Sequence, residues 1–290
     1  MCDETTEADN ARHLTPTYLN RRQLGASAGA VGMAALLPTA ADAKPIKGRD
    51  VTITTPDGQC DAYFTAPTSG KHPGVLMWPD IMGLRPAFRQ MADRLASAGY
   101  AVLVVNQFYR STKSPIVAAG ESFDQPAVRE RIMPWRSALT AEAVTRDGTT
   151  FVAFLDHQKE VDTKRHIGSA GYCMGGPMVL RTAAAVPNRV YAGASFHGAG
   201  LVSDAPDSPH RLVPKLAGGY LIAIASNDDA RSPNDKTVLR EAFTAAKRPA
   251  EIQVYADAMH GWCVIDSKVY NPPQAERAWA RMLDLFAKTL

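Results

Sequence analysis

The sequence lacks the features that mark several functional classes. Its 32 Lys and Arg residues barely exceed its 29 Asp and Glu residues, and no basic cluster stands out. A dedicated nucleic-acid-binding protein usually presents a strongly basic face, so that class is excluded. Four cysteines in 290 residues are too few for a disulfide scaffold. What the chain does have is 46% apolar residues, the composition of a globular protein with a substantial core.

A long hydrophobic run is also missing, although a short one follows a pair of arginines near the start. Arg21 and Arg22 precede a small-residue apolar run from Gly25 to Leu37, and Ala41-Asp42-Ala43 comes next. A membrane-spanning helix needs about 20 apolar residues. Twin arginines, a short apolar run and an A-x-A site are instead the parts of a bacterial twin-arginine secretory signal. The alternative is a disordered tail before an amphipathic helix.

We expect residues 1–43 to be a cleaved signal that the twin-arginine export machinery recognises. Residues 44–290 would then form a domain of 247 residues in the periplasm or outside the cell. Cys2 leaves with the signal. The cysteines that remain are Cys60, Cys173 and Cys263. An odd number of thiols in an oxidising compartment leaves at least one of them free or paired with another molecule.

Strand-like and helical segments alternate along the rest of the chain. The strand-like segments cover residues 51–53, 62–64, 75–78, 101–105, 167–171, 190–196, 220–225 and 252–255. The helical segments cover residues 88–98, 149–158, 176–186, 235–247 and 275–288. Such alternation predicts an α/β fold with a mostly parallel central sheet and helices on both faces. Because no internal repeat or linker follows residue 50, we expect one domain.

The connections between these segments carry signals of their own. Pro56-Asp57-Gly58 predicts the turn of an opening hairpin. Residues 107–150 and 198–219 are irregular stretches that contain several prolines. Loops at the carboxyl ends of parallel strands carry specificity in such folds, so we expect both stretches to line a substrate pocket.

The end of the strand at 167–171 carries the most specific motif. Gly171–Gly176 is the sequence G-Y-C-M-G-G, a G-x-S-x-G nucleophile elbow with Cys173 in place of serine. The elbow is a sharp strand-to-helix turn, and its glycines remove side chains that would clash. The amino end of the following helix favours a thiolate, and the Met174 N–H can donate to a developing oxyanion. We therefore predict that Cys173 is a nucleophile.

An elbow nucleophile needs an acid and then a base later in the chain. Asp228 and Asp229 follow the strand at 220–225, and His260 follows the strand at 252–255. His260 would exchange a proton with the Cys173 thiol, and one of the two aspartates would orient the imidazole. His197 also follows a strand but precedes both acids, so we interpret it as a structural or supporting residue.

These residues give the chain a resemblance to the dienelactone hydrolase family of α/β-hydrolases across residues 45–290. The resemblance rests on the elbow, the aspartate pair, His260-Gly261-Trp262 and the segment Trp78–Pro86. It implies an α/β-hydrolase fold and a triad of Cys173, Asp229 and His260. Asp229 is preferred because the family's acid commonly lies four residues before a proline, here Pro233.

The same resemblance assigns two residues after the strand at 75–78. Asp80 corresponds to the acid that holds the resting thiol in the family. Ile81 corresponds to the residue whose N–H completes the oxyanion hole.

Two departures from the family pattern concern the substrate. The namesake enzyme clamps the carboxylate of its substrate with two arginines. Arg110 lies one position away from the first, and Val264 stands where the second would fall. A carboxylate is strongly disfavoured in a buried site unless it is paired, so the hydrolase chemistry is better supported than a dienelactone substrate. Arg85, Tyr109, Arg110 and Trp262 are the candidate substrate contacts.

We therefore expect a hydrolase of small esters or lactones that forms an acyl intermediate on Cys173. No cofactor is expected. Cys173, His260 and Cys263 could be drawn as metal ligands, but the His-x-x-Cys piece is isolated, so no metal is expected either. The expected partner is a small-molecule substrate, with no nucleic acid and no stable membrane insertion, in a monomer or homodimer. The alternative is a non-catalytic or redox-sensing protein in which Cys173 is oxidised or paired with Cys263.

Overall fold

The computed structural model of the chain describes residues 4–14 and 43–290. Its strands are β1 (Ile46–Thr55), β2 (Gly58–Pro67), β3 (Gly74–Trp78), β4 (Ala101–Val105), β5 (Ile167–Tyr172), β6 (Val190–Phe196), β7 (Gly219–Ala225) and β8 (Ala250–Tyr255). Its α-helices are α1 (Glu4–Leu14), α2 (Pro86–Ser97), α3 (Pro126–Ser137), α4 (Ala141–Asp156), α5 (Gly175–Ala185), α6 (Ser226–Arg231), α7 (Asp235–Ala245) and α8 (Pro272–Thr289). A short 3-10 helix covers Pro209–Lys215.

The strands in the described ranges form one sheet, in the order β1-β2-β4-β3-β5-β6-β7-β8. Strands β3 to β8 run parallel to one another, whereas β1 and β2 form an antiparallel hairpin and β2 also pairs antiparallel with β4. The hairpin turns between Thr55 and Gly58, as the Pro56-Asp57-Gly58 signal predicts. The predicted α/β fold with a mostly parallel sheet is confirmed. Because parallel strands end at one edge, the residues after β3, β5, β6, β7 and β8 gather there.

Apolar layers cover both faces of this sheet. Phe151 of α4, Val179 of α5 and Leu239 of α7 lie in one buried cluster. Phe88 of α2 and Phe286 of α8 lie in the other. Strands β3, β4 and β5 are buried along their whole length between the two layers. This double burial explains why their sequences read as continuous apolar runs instead of alternating ones.

Several helices begin earlier than the sequence pattern predicts, and side-chain caps explain two of the cases. Helix α4 begins at Ala141 because the hydroxyl of Thr140 accepts a hydrogen bond from the Ala143 N–H at 3.2 Å. Helix α8 begins at Pro272, where the Asn271 side chain caps the first turn. A cap satisfies backbone donors that the first turn leaves unpaired. None of the helices in the described ranges is long and apolar enough to cross a membrane.

The amino-terminal region differs from the prediction in one respect. Residues 4–14, which show no hydrophobic period, form helix α1. Residues 15–42 lie outside the described residues, and with them lie the arginine pair and the apolar run of the predicted export signal. The structure therefore does not test the predicted signal or the domain boundary after residue 43.

Candidate active site

Cys173 occupies a sharp turn between β5 and α5. Its φ of +53° lies in the left-handed region, which a residue with a side chain rarely adopts. A Cβ atom on Gly171 would collide with the Gly175 carbonyl, because the tight turn brings this carbonyl close to Gly171. The predicted elbow is therefore present, with its backbone strain at the proposed nucleophile.

The same turn packs closely against the end of β3. A Cβ atom on Gly175 would collide with the carbonyls of Trp78 and Pro79. The end of β3, which Ile81 follows by three residues, thus lies against the start of α5, which Met174 directly precedes. Neither the Ile81 N–H nor the Met174 N–H donates to another backbone carbonyl among the described residues. Two unused donors beside the elbow provide what an oxyanion hole requires.

His260 lies on the loop after β8 and contacts the start of α6. Its Nδ1 is 2.7 Å from Oδ2 of Asp228. Because a carboxylate only accepts hydrogen bonds, Nδ1 carries the proton and Nε2 is the nitrogen that can accept one. The His260 N–H donates to the side-chain oxygen of Asn227 at 2.8 Å. Asn227, which the sequence did not point out, thus fixes the backbone of the proposed base.

The assignment of Asp229 as the orienting acid is wrong. Both carboxylate oxygens of Asp229 accept from the Lys236 ammonium, at 2.6 and 2.8 Å. Consecutive residues of a helix point about 100° apart, so Asp228 and Asp229 at the start of α6 cannot both face His260. The structure gives that position to Asp228, the alternative that the sequence left open.

His197 lies against His260 in the same site. The centroids of the two rings are 4.8 Å apart and the rings meet edge to face. His197 has a φ of +40°, is buried, and finds no hydrogen-bond partner for either ring nitrogen among the residues that the structure describes. Burial and the neighbouring His260 lower the pKa of His197 well below its usual range. His197 is therefore a neutral imidazole, and it supports the proposed base as the sequence interpretation allowed.

Trp262 packs against this histidine. Its side chain is fully buried, its ring centroid is 5.3 Å from that of His197, and it stacks on Tyr255. That Trp262 contacts substrate stays a prediction.

Cys173 is disulfide-bonded in the structure. Cys60 and Cys263 are free and buried, and Cys2 lies outside the described residues. The pairing of Cys173 with Cys263 that the sequence suggested is therefore wrong. Burial raises the pKa of the Cys60 and Cys263 thiols, which keeps both protonated and unreactive.

The Asp80 carboxylate is held by an arginine. Its two carboxylate oxygens accept from Arg85 at 2.6 and 2.9 Å, and one of them also accepts from the Met82 N–H. The other side of the Arg85 guanidinium binds Asp266 at 2.8 and 2.9 Å. This buried ion pair engages both side chains in the disulfide-bonded structure, and their roles toward the resting thiol and the substrate stay predictions.

Tyr109 and Arg110 belong to a second polar network. The Tyr109 hydroxyl donates to Asp147 at 2.7 Å, and Arg110 binds both Asp147 and Asp57. These contacts tie α4 to the hairpin turn. Both side chains are engaged in these pairs, and the prediction that Tyr109 and Arg110 contact substrate stays a prediction. Asp57 and Asp147 lie near Arg110 in space but far from it in the sequence, and no sequence pattern predicted this pairing.

Helix α1 lies on the candidate site, which the sequence gave no reason to expect. Asn10 donates to the His260 carbonyl at 3.1 Å. Arg231 of α6 binds Thr6 and Asp9 at 2.9 and 2.8 Å. Arg231 Nη1 also lies 3.9 Å from Asp228. The residues around the proposed acid and base are thus in contact with the amino-terminal helix.

The two predicted pocket-lining stretches reach this region only in part. Gly198–Leu201 lines a small cavity of about 70 Å³ beside Asp228 and Asp229. Asp124 and Arg129, from the stretch 107–150, lie close enough to influence the charge on Glu7 of α1. Within the described residues, no group of three or more His, Cys, Asp or Glu side chains could hold a metal ion.

The site contains the kinds of residue that an α/β-hydrolase centre uses, and a comparison with known families identifies the family to which the chain belongs. Residues 60–290 match the sequence profile described as the dienelactone hydrolase family. The chain belongs to the dienelactone hydrolase family. This membership confirms the resemblance drawn from the elbow and the late histidine, and with it the prediction of an enzyme of the hydrolase class.

Relatives within this family are distant but cover most of the chain. A Methylorubrum extorquens protein that carries the name carboxymethylenebutenolidase is 27% identical over 97% of this chain and 97% of its own. Because the similarity covers 97% of this chain, it includes most of residues 1–43. The carboxymethylenebutenolidase of Rhodococcus opacus is 25% identical over 77% of this chain and 83% of its own.

Solved structures show the same dienelactone hydrolase fold. A Klebsiella pneumoniae protein named as a dienelactone hydrolase covers 84% of this chain and 100% of its own, with a TM-score of 0.73 at 23% identity. The dienelactone hydrolase of Anabaena variabilis covers 84% of this chain and 99% of its own, with a TM-score of 0.60 at 17% identity.

Proposed function

We propose that the chain hydrolyses small carboxylic esters or lactones through a covalent acyl intermediate on Cys173. The observation that carries this proposal is the His260–Asp228 pair, which follows a cysteine elbow in the chain order that α/β-hydrolases use. Family membership supports the same chemistry, since relatives in Rhodococcus opacus and Pseudomonas putida are carboxymethylenebutenolidases.

Acylation begins from the reduced Cys173. His260 takes the thiol proton on Nε2, and the sulfur forms a bond to the substrate carbonyl carbon. The N–H groups of Ile81 and Met174 donate to the resulting oxyanion. When the tetrahedral intermediate collapses, the carbon–oxygen bond breaks and the departing oxygen takes the proton from His260. An ester thereby loses an alcohol, whereas an opened lactone keeps its new hydroxyl group on the acyl chain.

Deacylation reverses these roles with water. His260 removes a proton from a water molecule, whose oxygen bonds to the thioester carbon. The carbon–sulfur bond then breaks, the sulfur regains the proton from His260, and a carboxylic acid leaves. Asp228 stabilises the imidazolium that forms in both steps and keeps its Nδ1 proton facing the carboxylate.

The test is turnover of p-nitrophenyl acetate and a panel of small lactones by the reduced protein. Cys173→Ala should lose at least a thousandfold in kcat/KM, as removal of a triad nucleophile does elsewhere. Cys263→Ala is the matched control, because this thiol is buried and protonated, and it should retain activity. Turnover that survives Cys173→Ala would rule out the acyl-cysteine mechanism.

We also propose that residues 1–43 are a twin-arginine export signal and that the hydrolase acts in the periplasm or outside the cell. The Arg21-Arg22 pair, the apolar run and Ala41-Asp42-Ala43 support this. Cell fractionation should find the wild-type chain outside the cytoplasm, with a new amino terminus at Lys44. Lys substitutions at both arginines should retain the chain in the cytoplasm, and equal export of both forms would contradict the proposal.

A further inference from the structure

The proposed nucleophile and base are both closed off in the structure. Cys173 is 1% exposed and His260 is 4% exposed. The structure holds Cys173 in a disulfide, so a substrate can react only after the disulfide is reduced and after whatever element still covers the sulfur moves. The element to consider is the one that contacts both the acid-bearing and the base-bearing segments from outside the domain.

Helix α1 is that element. Asn10 holds the backbone of His260, and Thr6 and Asp9 hold Arg231, three residues after the proposed acid Asp228. Thr6 is completely buried by this contact, although it lies on a helix that carries no apolar stripe. The helix therefore seats on the two loops that carry the acid and the base.

The charge of Glu7, in the middle of α1, is coupled to other charged groups of this region. Burial and Asp124 raise the pKa of Glu7, whereas His260, Lys268 and Arg129 lower it. These groups come from the base loop, the loop before α8 and the region around α3. Helix α1 is therefore coupled electrostatically to segments other than the two that it contacts through hydrogen bonds.

We propose that the surface formed by α6 and the loop 256–260 is a docking surface for helix α1, and that α1 is a cap which excludes substrate from Cys173 while it is docked. The inference rests on the proposed function, because it assigns Cys173 as the group that substrate must reach. The occupant of the surface is a segment of the chain itself.

Docking also helps to keep α1 helical. Isolated helices shorter than about 12–15 residues are marginal in water, and α1 has 11 residues without an apolar face. Its hydrogen bonds with Arg231 and with the His260 carbonyl therefore contribute to its order. A change on α1 that breaks these contacts should both unfold the helix and open the site.

Thr6→Arg is the decisive variant. Thr6 is buried against the docking surface, so an arginine there forces α1 away while every residue of 43–290 stays unchanged. Ala8→Arg is the matched control, because Ala8 is exposed on the same helix. In the reduced full-length protein, kcat/KM for p-nitrophenyl acetate should rise at least tenfold in Thr6→Arg and change less than twofold in Ala8→Arg.

Two measurements keep the inference separate from the proposed function. Hydrogen exchange should find the α1 amides protected in wild type and in Ala8→Arg, and unprotected in Thr6→Arg. The rate at which iodoacetamide alkylates the reduced Cys173, followed by mass spectrometry, should rise at least tenfold in Thr6→Arg. Alkylation reports access to the sulfur whether or not the protein hydrolyses esters.

Each outcome supports or overturns either the cap or the hydrolase proposal. Equal alkylation and equal kcat/KM in wild type and Thr6→Arg overturn the cap, and Cys173-dependent turnover would still uphold the hydrolase. Unprotected α1 amides in wild type also overturn it. Faster alkylation without any turnover in either form upholds control of access by α1 and overturns the hydrolase.

Discussion

The ring of His197 meets the ring of His260 edge to face, with 4.8 Å between their centroids. Two imidazoles at this distance cannot both be protonated without strong repulsion, and burial already disfavours charge on His197. The proposed base therefore works beside a neutral ring, and the neutrality of that ring is a property of the folded state.

Acidification should destabilise the protein partly through His197. Its folded pKa is depressed below the unfolded value near 6.5, so the unfolded state binds more protons and stability falls as pH drops below about 6.5. The contribution of one such group reaches about 1.4 kcal/mol per pH unit. His197→Phe should flatten the fall of Tm between pH 7.5 and pH 5. His210, whose pKa burial also lowers, would keep part of the dependence. An unchanged slope would refute this role.

Exchanging the two neighbouring aspartates for asparagine should give opposite results. Asp228→Asn leaves the His260 Nδ1 without its carboxylate, and kcat should fall by roughly a thousandfold or more. Asp229→Asn weakens only the partly exposed pair with Lys236, so kcat should stay within about threefold. The measurement is ester turnover by variants with matched thermal stability. A larger loss of kcat in Asp229→Asn than in Asp228→Asn would indicate that Asp229, which the spacing to Pro233 favours, is the orienting acid.

Hydrolysis should depend on reduction of Cys173. The disulfide leaves no thiol to attack a carbonyl, whereas a phosphine reductant takes up the oxygen of water and leaves two thiols. Turnover should be absent from the oxidised protein and appear on reduction. Cys263→Ser should respond in the same way, because Cys263 is free and buried. Peptide mapping without reduction identifies the partner of Cys173, and equal turnover before and after reduction would contradict the prediction.

Gly175→Ala should weaken the elbow. The added Cβ meets the carbonyls of Trp78 and Pro79, which are backbone atoms with little freedom to move. We expect the free energy of unfolding to fall by about 1–3 kcal/mol, and kcat to fall with it as the Ile81 loop is pushed from Met174. Gly219→Ala is the control, because the atom nearest to its Cβ would be the end of the Leu285 side chain, at 3.1 Å, and the Pro249 carbonyl lies at an ordinary contact distance of 3.8 Å. Denaturant unfolding measures both, and an equal loss in the two variants would argue against the close approach.

Glu7→Gln should tighten the docking of α1. Burial is the main reason that the pKa of Glu7 is raised, so the ionised carboxylate opposes docking at neutral pH and a neutral amide removes that opposition. Nearby Asp124 acts in the same direction, whereas His260, Lys268 and Arg129 favour the charge. Hydrogen exchange in α1 should slow severalfold and turnover should fall. Faster exchange would mean that the favourable charges outweigh burial.

The elbow and the fold could be predicted from the sequence because their signals are local. A side chain at position 171 or 175 would collide with nearby backbone atoms, so the elbow requires glycine at both positions. Buried parallel strands produce unbroken apolar runs. The acid could not be chosen in the same way. Asp228 and Asp229 follow the same strand, and the turn of α6 alone decides which carboxylate faces His260.

The ion pairs of Arg85 and Arg110 could not be predicted from the sequence because the partners are distant along the chain. Arg85 binds Asp266, which lies 181 residues later, and Arg110 binds Asp147 from α4. A sequence pattern shows that an arginine is present but not which carboxylate folds back onto it. Helix α1 escaped prediction for a related reason, since it docks through Thr6, Asp9 and Asn10 instead of an apolar stripe.

The place of α1 in the chain gives the cap a consequence for timing. The helix precedes Arg21 and Arg22, so the cap and the proposed export signal lie on the same side of the bond after Ala43. Cleavage of that one bond would discard both. The proposed precursor would then travel closed and folded, and its first turnover would require both this cleavage and the reduction of Cys173.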